Sequence, residues 1–175
     1  MDWTIEEASA EDADRLALIG AATFLETFAG ILDGSAIVAH CQREHSAAGY
    51  RRFLDGGYQA WLATVTPDKA PIGFALLGPA EIPGAAEDAS DLELKRIYVL
   101  SRFHGGGPGK ALMQRAVERA AERGARRVLL GVYRHNERAI RFYQKNGFAQ
   151  IAKRCFRVGD REYEDIVLAK PVGAD

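Results

Sequence analysis

The residues of this chain best arranged for chemistry lie in one stretch, Leu92–Gly109, LELKRIYVLSRFHGGGPG, and in the alanine-rich segment after it. Glycines at 105, 106, 107 and 109 let a loop turn sharply and let a ligand approach the backbone. A strand, a glycine loop and a helix in that order leave free N–H groups at a helix N-terminus, which is a site for phosphate. Pro108 suits the first helical position and also removes one donor. The cradle must therefore use the N–H groups around it, from Gly105 to Lys110.

Several named patterns fail on this loop. G-x-x-x-x-G-K-[ST] would need glycine at His104 and a hydroxyl at Ala111. G-x-G-x-x-G from Gly105 would need glycine at Lys110. His104–Gly107 reads HGGG, but the chain has no G-x-S-x-G to go with an oxyanion loop of that kind.

The elements that must position the loop can be read in order. Thr4–Ala8 is a strand, and Ala10–Phe28 a helix capped by Ser9, with Leu16, Ile19, Ala22, Phe24 and Phe28 on its apolar side. Gly34–Glu44 and Ala47–Leu54 are helices. Gln59–Thr66 and Ile72–Pro79 form a hairpin, and Ala80–Ser90 is an acidic loop. In the strand from Leu92, apolar residues fall on even positions at Leu92 and Leu94 and on odd ones at Ile97 and Val99. That slip near Lys95-Arg96 fits either a β-bulge, which would free backbone groups of Ile97–Val99, or a strand buried on both faces. Pro108–Arg123 is a helix and Arg126–Tyr133 a strand. Glu137–Lys145 is a helix between the N-cap Asn136 and the stop Gly147. Phe148–Val158 and Glu162–Leu168 close an antiparallel pair across Gly159-Asp160. This is one mixed α/β domain over residues 1–175.

Net charge is only -1, yet residues 1–94 carry 5 Lys+Arg against 16 Asp+Glu, and residues 95–161 carry 17 against 4. The basic block holds the glycine loop, as a polyanionic ligand requires, and the acidic block could attract a cationic one. Both blocks also read as solvated faces. No helix-turn-helix, zinc-finger or RNP signature accompanies the basic block, so no nucleic-acid partner is expected. No apolar run approaches a membrane span, and the acidic N-terminus has no apolar signal core. Cys41 and Cys155 have no metal spacing, which points to free thiols in a reducing cytoplasm. The spacing in H-C-Q-R-E-H, residues 40–45, is not that of a metal-binding helix, and no metal is expected.

RIYVLSRFHGGGPGKALM resembles the acetyl-CoA loop of the GNAT N-acetyltransferases, [RQ]-x-x-G-x-[GA], here at His104, Gly107 and Gly109. His104 stands where the family has Gln or Arg, and Pro108 where it has an aliphatic residue. Asn136–Phe148, NERAIRFYQKNGF, is similar to the second GNAT signature through Asn136, Ala139, Phe142, Tyr143, Lys145, Gly147 and Phe148. The resemblance implies a mixed, mostly antiparallel sheet of about seven strands, a splayed central parallel pair that holds the pantetheine arm, and about four flanking helices. It implies that acetyl-CoA lies along Ile97, Tyr98, Val99, His104, Gly105, Gly106, Gly107, Gly109 and Lys110. It also implies that Asn136 bonds the pantetheine and that Tyr143 lies near the sulfur. TFLETF at Thr23–Phe28, GVYRHN at Gly131–Asn136 and FRVGDREYEDIVLAK at Phe156–Lys170 look like bacterial spermidine/spermine N-acetyltransferases, which implies a polyamine acceptor.

Direct acetyl transfer to an amine in a ternary complex needs a base for the amine, a donor for the oxyanion and an acid for the thiolate. Tyr143 suits the acid and the N–H of Val99 or its neighbours the donor. Glu93 is the first choice of base, directly or through water, or else it pairs with a neighbour such as Lys95. Asn136 can equally be a plain cap and Tyr143 plain core packing. His104 either reaches a phosphate or fills the loop, and Glu26 is either a surface carboxylate or part of the acceptor pocket. The acceptor is a small-molecule or peptide amine, and monomer and homodimer both stay open. The competing reading is a CoA-binding regulatory module without catalysis.

Overall fold

The computed structural model describes residues 2–85, 90–158 and 161–172. The turn expected at Gly159-Asp160 and part of the acidic loop lie outside them. Seven strands form one mixed sheet, in the order β1-β2-β3-β4-β5-β7-β6. They are β1 Trp3–Ala8, β2 Gln59–Val65, β3 Pro71–Pro79, β4 Asp91–Val99, β5 Arg127–Tyr133, β6 Ala149–Val158 and β7 Arg161–Pro171. The helices are α1 Ala13–Phe28, α2 Gly34–Glu44, α3 Ala47–Asp55, α4 Pro108–Glu122 and α5 Glu137–Lys145, five among the described residues where about four were expected. β4 and β5 run parallel, while β1–β2, β5–β7 and β6–β7 are antiparallel. No described helix is long and apolar enough to cross a membrane.

Local chemistry explains most boundaries. Ser9 does cap the first helical segment: its oxygen accepts the Glu11 N–H, and the Asp12 carboxylate accepts the Ser9 N–H in return. The segment starts as a 3-10 turn, Ala10–Asp12, before α1 proper. β7 is longer than its apolar pattern suggested, because Ala169, Lys170 and Pro171 still pair with Leu129, Val128 and Arg127.

The contacts group into two compact units, Met1–Leu76 with Arg96–Arg115, and Leu77–Lys95 with Ala116–Asp175. In the first, Leu16, Ile19, Tyr50, Leu62, Phe74 and Leu76 form the core. In the second, Ile82 and Ala85 pack on Leu129, Val167 and Ala169.

The slip in β4 coincides with a buried cation. Glu93 and Lys95 both reach Glu81, while Arg96 and Tyr98 both reach the aromatic cluster of Tyr50 and Phe74. Partners two residues apart on each side, with the change between Lys95 and Arg96, are what a regular strand produces. The irregularity is one of polarity: Arg96 occupies an apolar position. It is buried, bonded to the Glu44 carbonyl (2.8 Å) and carboxylate (2.9 Å), and its guanidinium lies 5.0 Å from the Phe53 ring centroid. The first half of the strand, Asp91–Leu94, is buried on both faces, which matches the other reading of the pattern.

The first rung of the parallel pair is an ion pair. Asp91 and Arg127 are register partners, and the buried carboxylate receives Nε at 3.0 Å and Nη2 at 2.9 Å. Replacing Arg127 with Met removes both of these bonds from the buried carboxylate, while Arg126 stays at 3.5 Å. The expected loss is about 3–5 kcal/mol of folding stability, measured by urea unfolding.

Candidate active site

The glycine loop is shaped within the first unit. After β4, Ser101–Phe103 make a 3-10 turn, and α4 starts at Pro108 as its residue type suggested. The Gly106 N–H donates to the Phe103 carbonyl at 3.2 Å, and the Ala111 N–H closes the first helical turn on Gly107 O at 3.0 Å. Pro108 has no N–H. Among the described residues, the N–H groups of Gly105, Gly107, Gly109 and Lys110 have no backbone acceptor, whereas that of Gly106 is used within the loop. The segment from Val99 to Lys110 contains no acidic residue. Neutral, closely spaced N–H groups at a helix start, with Lys110 beside them, fit a pyrophosphate.

Three side chains hold this loop. Trp3 Nε1–H donates to Gly106 O at 3.2 Å, and its ring sits where a side chain on Gly107 would go. His104 Nε2 lies 2.6 Å from Val99 O; a carbonyl only accepts, so this nitrogen carries the hydrogen. Of the two readings of His104, the contact matches the one in which it fills the loop. Glu26 is an exposed carboxylate, as one of its two readings has it, and it accepts the Ser101 N–H at 2.8 Å and Oγ–H at 2.7 Å. The Ser101 hydroxyl bond holds its pKa below the usual glutamate value, helped by the Ser101 N–H and His104 and opposed by partial burial. The clamp is thus complete above the ordinary glutamate range and weakens as pH falls through the lowered value.

At the end of β4, Ile97, Tyr98 and Val99 are half-buried. The Tyr98 ring stacks on Phe74, 6.0 Å between centroids. The Leu100 N–H donates to Ile72 O at 2.9 Å.

Other candidates lie in the second unit. Glu93 is buried, and its Oε2 accepts the Glu81 N–H at 2.9 Å. It does not pair with Lys95, whose ammonium goes to the Glu81 carboxylate. Asn136 caps α5, accepting the Ala139 N–H at 3.1 Å. At the other end Gly147 is left-handed (φ 87°), Phe148 N–H reaches Tyr143 O and Gly147 N–H reaches Gln144 O. That double bond pattern is a Schellman stop, and its apolar contact is Tyr143 on Phe148, 6.0 Å between ring centroids. Tyr143 is thus buried and held by the helix terminus itself.

His40 and His45 are committed to the first core. His40 stacks on Phe24 at 4.2 Å, and His45 Nδ1 is 2.9 Å from the Tyr50 hydroxyl. Burial pushes their pKa values down to about 4 and about 3, so both are neutral at pH 7. Cys41 and Cys155 are free thiols.

The profile of the acetyltransferase (GNAT) family matches residues 37–148. An uncharacterized N-acetyltransferase of Mycobacterium tuberculosis is 36% identical over 159 residues, 91% of this chain and 97% of that protein. The chain superposes on the PaiA N-acetyltransferase of Thermoplasma acidophilum, solved with coenzyme A, with a TM-score of 0.75 and 22% identity, covering 98% of this chain and 99% of that one. Its TM-score to the ribosomal-protein-S18-alanine N-acetyltransferase of Escherichia coli is 0.68, with 19% identity over 99% of this chain and 96% of that one.

Proposed function

Since the chain belongs to the acetyltransferase (GNAT) family, we propose that it moves the acetyl group of acetyl-CoA directly to a primary amine in a ternary complex. The observation that carries this is the loop at the start of α4, where the N–H groups of Gly105, Gly107, Gly109 and Lys110 are close together and the stretch Val99–Lys110 has no acidic residue of its own. These groups hold the pyrophosphate, Ile97–Val99 offer their backbone to the pantetheine side, and Asn136 adds a polar contact there.

Glu93 takes the proton that the amine nitrogen must lose as its bond to the acetyl carbon forms, directly or through water. The backbone N–H of Val99 or a neighbour faces the oxygen that gains charge. Tyr143 gives a proton to the sulfur as the carbon–sulfur bond breaks. With reference pKa values of about 10 for the phenol and about 8.5 for the thiol, that transfer is uphill by roughly 2 kcal/mol, a gap small enough for general-acid help as the bond breaks.

For the acceptor we propose a small or peptide amine in the cytoplasm, with polyamines as the favoured class. The support is the acidic bias of residues 1–94. A panel of spermidine, neutral amines, amino acids and short peptides, assayed with acetyl-CoA by released thiol, tests this. Spermidine should be acetylated fastest at low salt and lose its lead as salt screens the charge. Equal turnover of spermidine and an acidic amino acid at both ionic strengths refutes the polyamine assignment, and no thiol release with any amine refutes the transferase.

A further inference from the structure

Glu26 stands beside a loop that presents donors to an anion. Simple electrostatics disfavours a carboxylate there, because like charges repel. Its contacts explain the placement. Both donors of Ser101 end on it, and Ser101 opens the 3-10 turn that leads into the glycines. N–H groups at the start of such a turn have no internal acceptor. Glu26, 75 residues upstream, acts as their cap.

The other end of the turn is fixed by His104, whose backbone N–H donates to Ser101 O at 3.0 Å while its ring holds Val99 O. The Val99–Leu100 peptide is therefore bonded at both of its polar atoms, the carbonyl by His104 and the N–H by Ile72 O. Between them these contacts set where β4 ends and at what angle the glycines leave it.

Resting on the reading that this loop holds the cofactor, we propose that Glu26 is a positioning residue for CoA, acting through Ser101. It fixes the turn 101–103 and so aims the N–H groups of Gly105, Gly107, Gly109 and Lys110. It has no part in choosing the acceptor.

The test compares Glu26→Ala, Glu26→Gln and Ser101→Ala by calorimetry with CoA and by steady-state kinetics. Glu26→Ala should weaken CoA binding about tenfold, the usual worth of hydrogen bonds to a charged group. Glu26→Gln keeps an acceptor oxygen and should fall between it and the parent chain, as should Ser101→Ala, which keeps its N–H. The amine KM and the rate at saturating acetyl-CoA should stay within about twofold, and the combination of Glu26→Ala with Ser101→Ala should bind CoA no worse than Glu26→Ala alone. Unchanged CoA affinity in Glu26→Gln and Glu26→Ala overturns the proposal. So does a defect confined to the amine KM, which would return Glu26 to the acceptor pocket. If Glu26→Ala does not fold, Glu26→Gln against Ser101→Ala decides by the same measurements. A parent chain with no CoA affinity removes the functional reading itself, an outcome visible before any variant is made.

Discussion

Tyr143→Phe should slow the chemical step by roughly 100- to 10,000-fold while leaving CoA affinity and the fold intact. The ring lies in the Schellman contact with Phe148 and packs edge-on to Phe142 at 5.5 Å, and phenylalanine preserves both. Only the hydroxyl is lost, so packing alone predicts a nearly silent variant and proton donation predicts a large defect. Single-turnover kinetics is the appropriate measurement, because slow product release could hide a chemical change. A variant with an unchanged chemical step would remove Tyr143 from the mechanism and leave water or the acceptor to supply the proton. The same experiment separates an enzyme from a CoA-binding module, which has no rate to lose.

Glu93→Gln is the second large effect. The glutamine carboxamide oxygen can accept the Glu81 N–H that Glu93 accepts at 2.9 Å, so the strand and the segment it holds should survive. What disappears is the ability to take a proton. The rate should fall by roughly 100- to 10,000-fold. Amines largely unprotonated at the assay pH should suffer less, since they need less help. Full activity would reduce Glu93 to a clamp on the backbone of Glu81.

How well each part could be read depended on whether its partners were near in sequence. α5 was placed at Glu137–Lys145 because both of its stops, Asn136 and Gly147, are written locally. The glycine loop and Pro108 were legible for the same reason. The buried stripe of α1 was read only in part. It runs through Gly20 and Thr23, and the threonine hydroxyl is satisfied by Ile19 O at 2.7 Å, so a polar type occupies a core position. Arg96 misled in the same way: its partner Glu44 lies 52 positions upstream, and no local pattern marks a buried cation. The Glu26–Ser101 clamp joins residues 75 apart and left no trace in spacing. The partner of Glu93 was misassigned because proximity in sequence favoured Lys95, whereas the chain returns through Glu81 to satisfy both residues.

The double stop on α5 also sets what length changes this part of the chain can tolerate. The cap at Asn136 and the reversal at Gly147 fix the nine-residue helix between them. One residue inserted among residues 138–142 would turn everything after it by about 100° around the helix axis. The Tyr143 hydroxyl would then point away from the side on which Asn136 sits, although every signature residue would still be present. An insertion beyond Phe148 would leave that relation untouched. Length variation among residues 138–142 should therefore abolish activity even in a chain that keeps every signature residue.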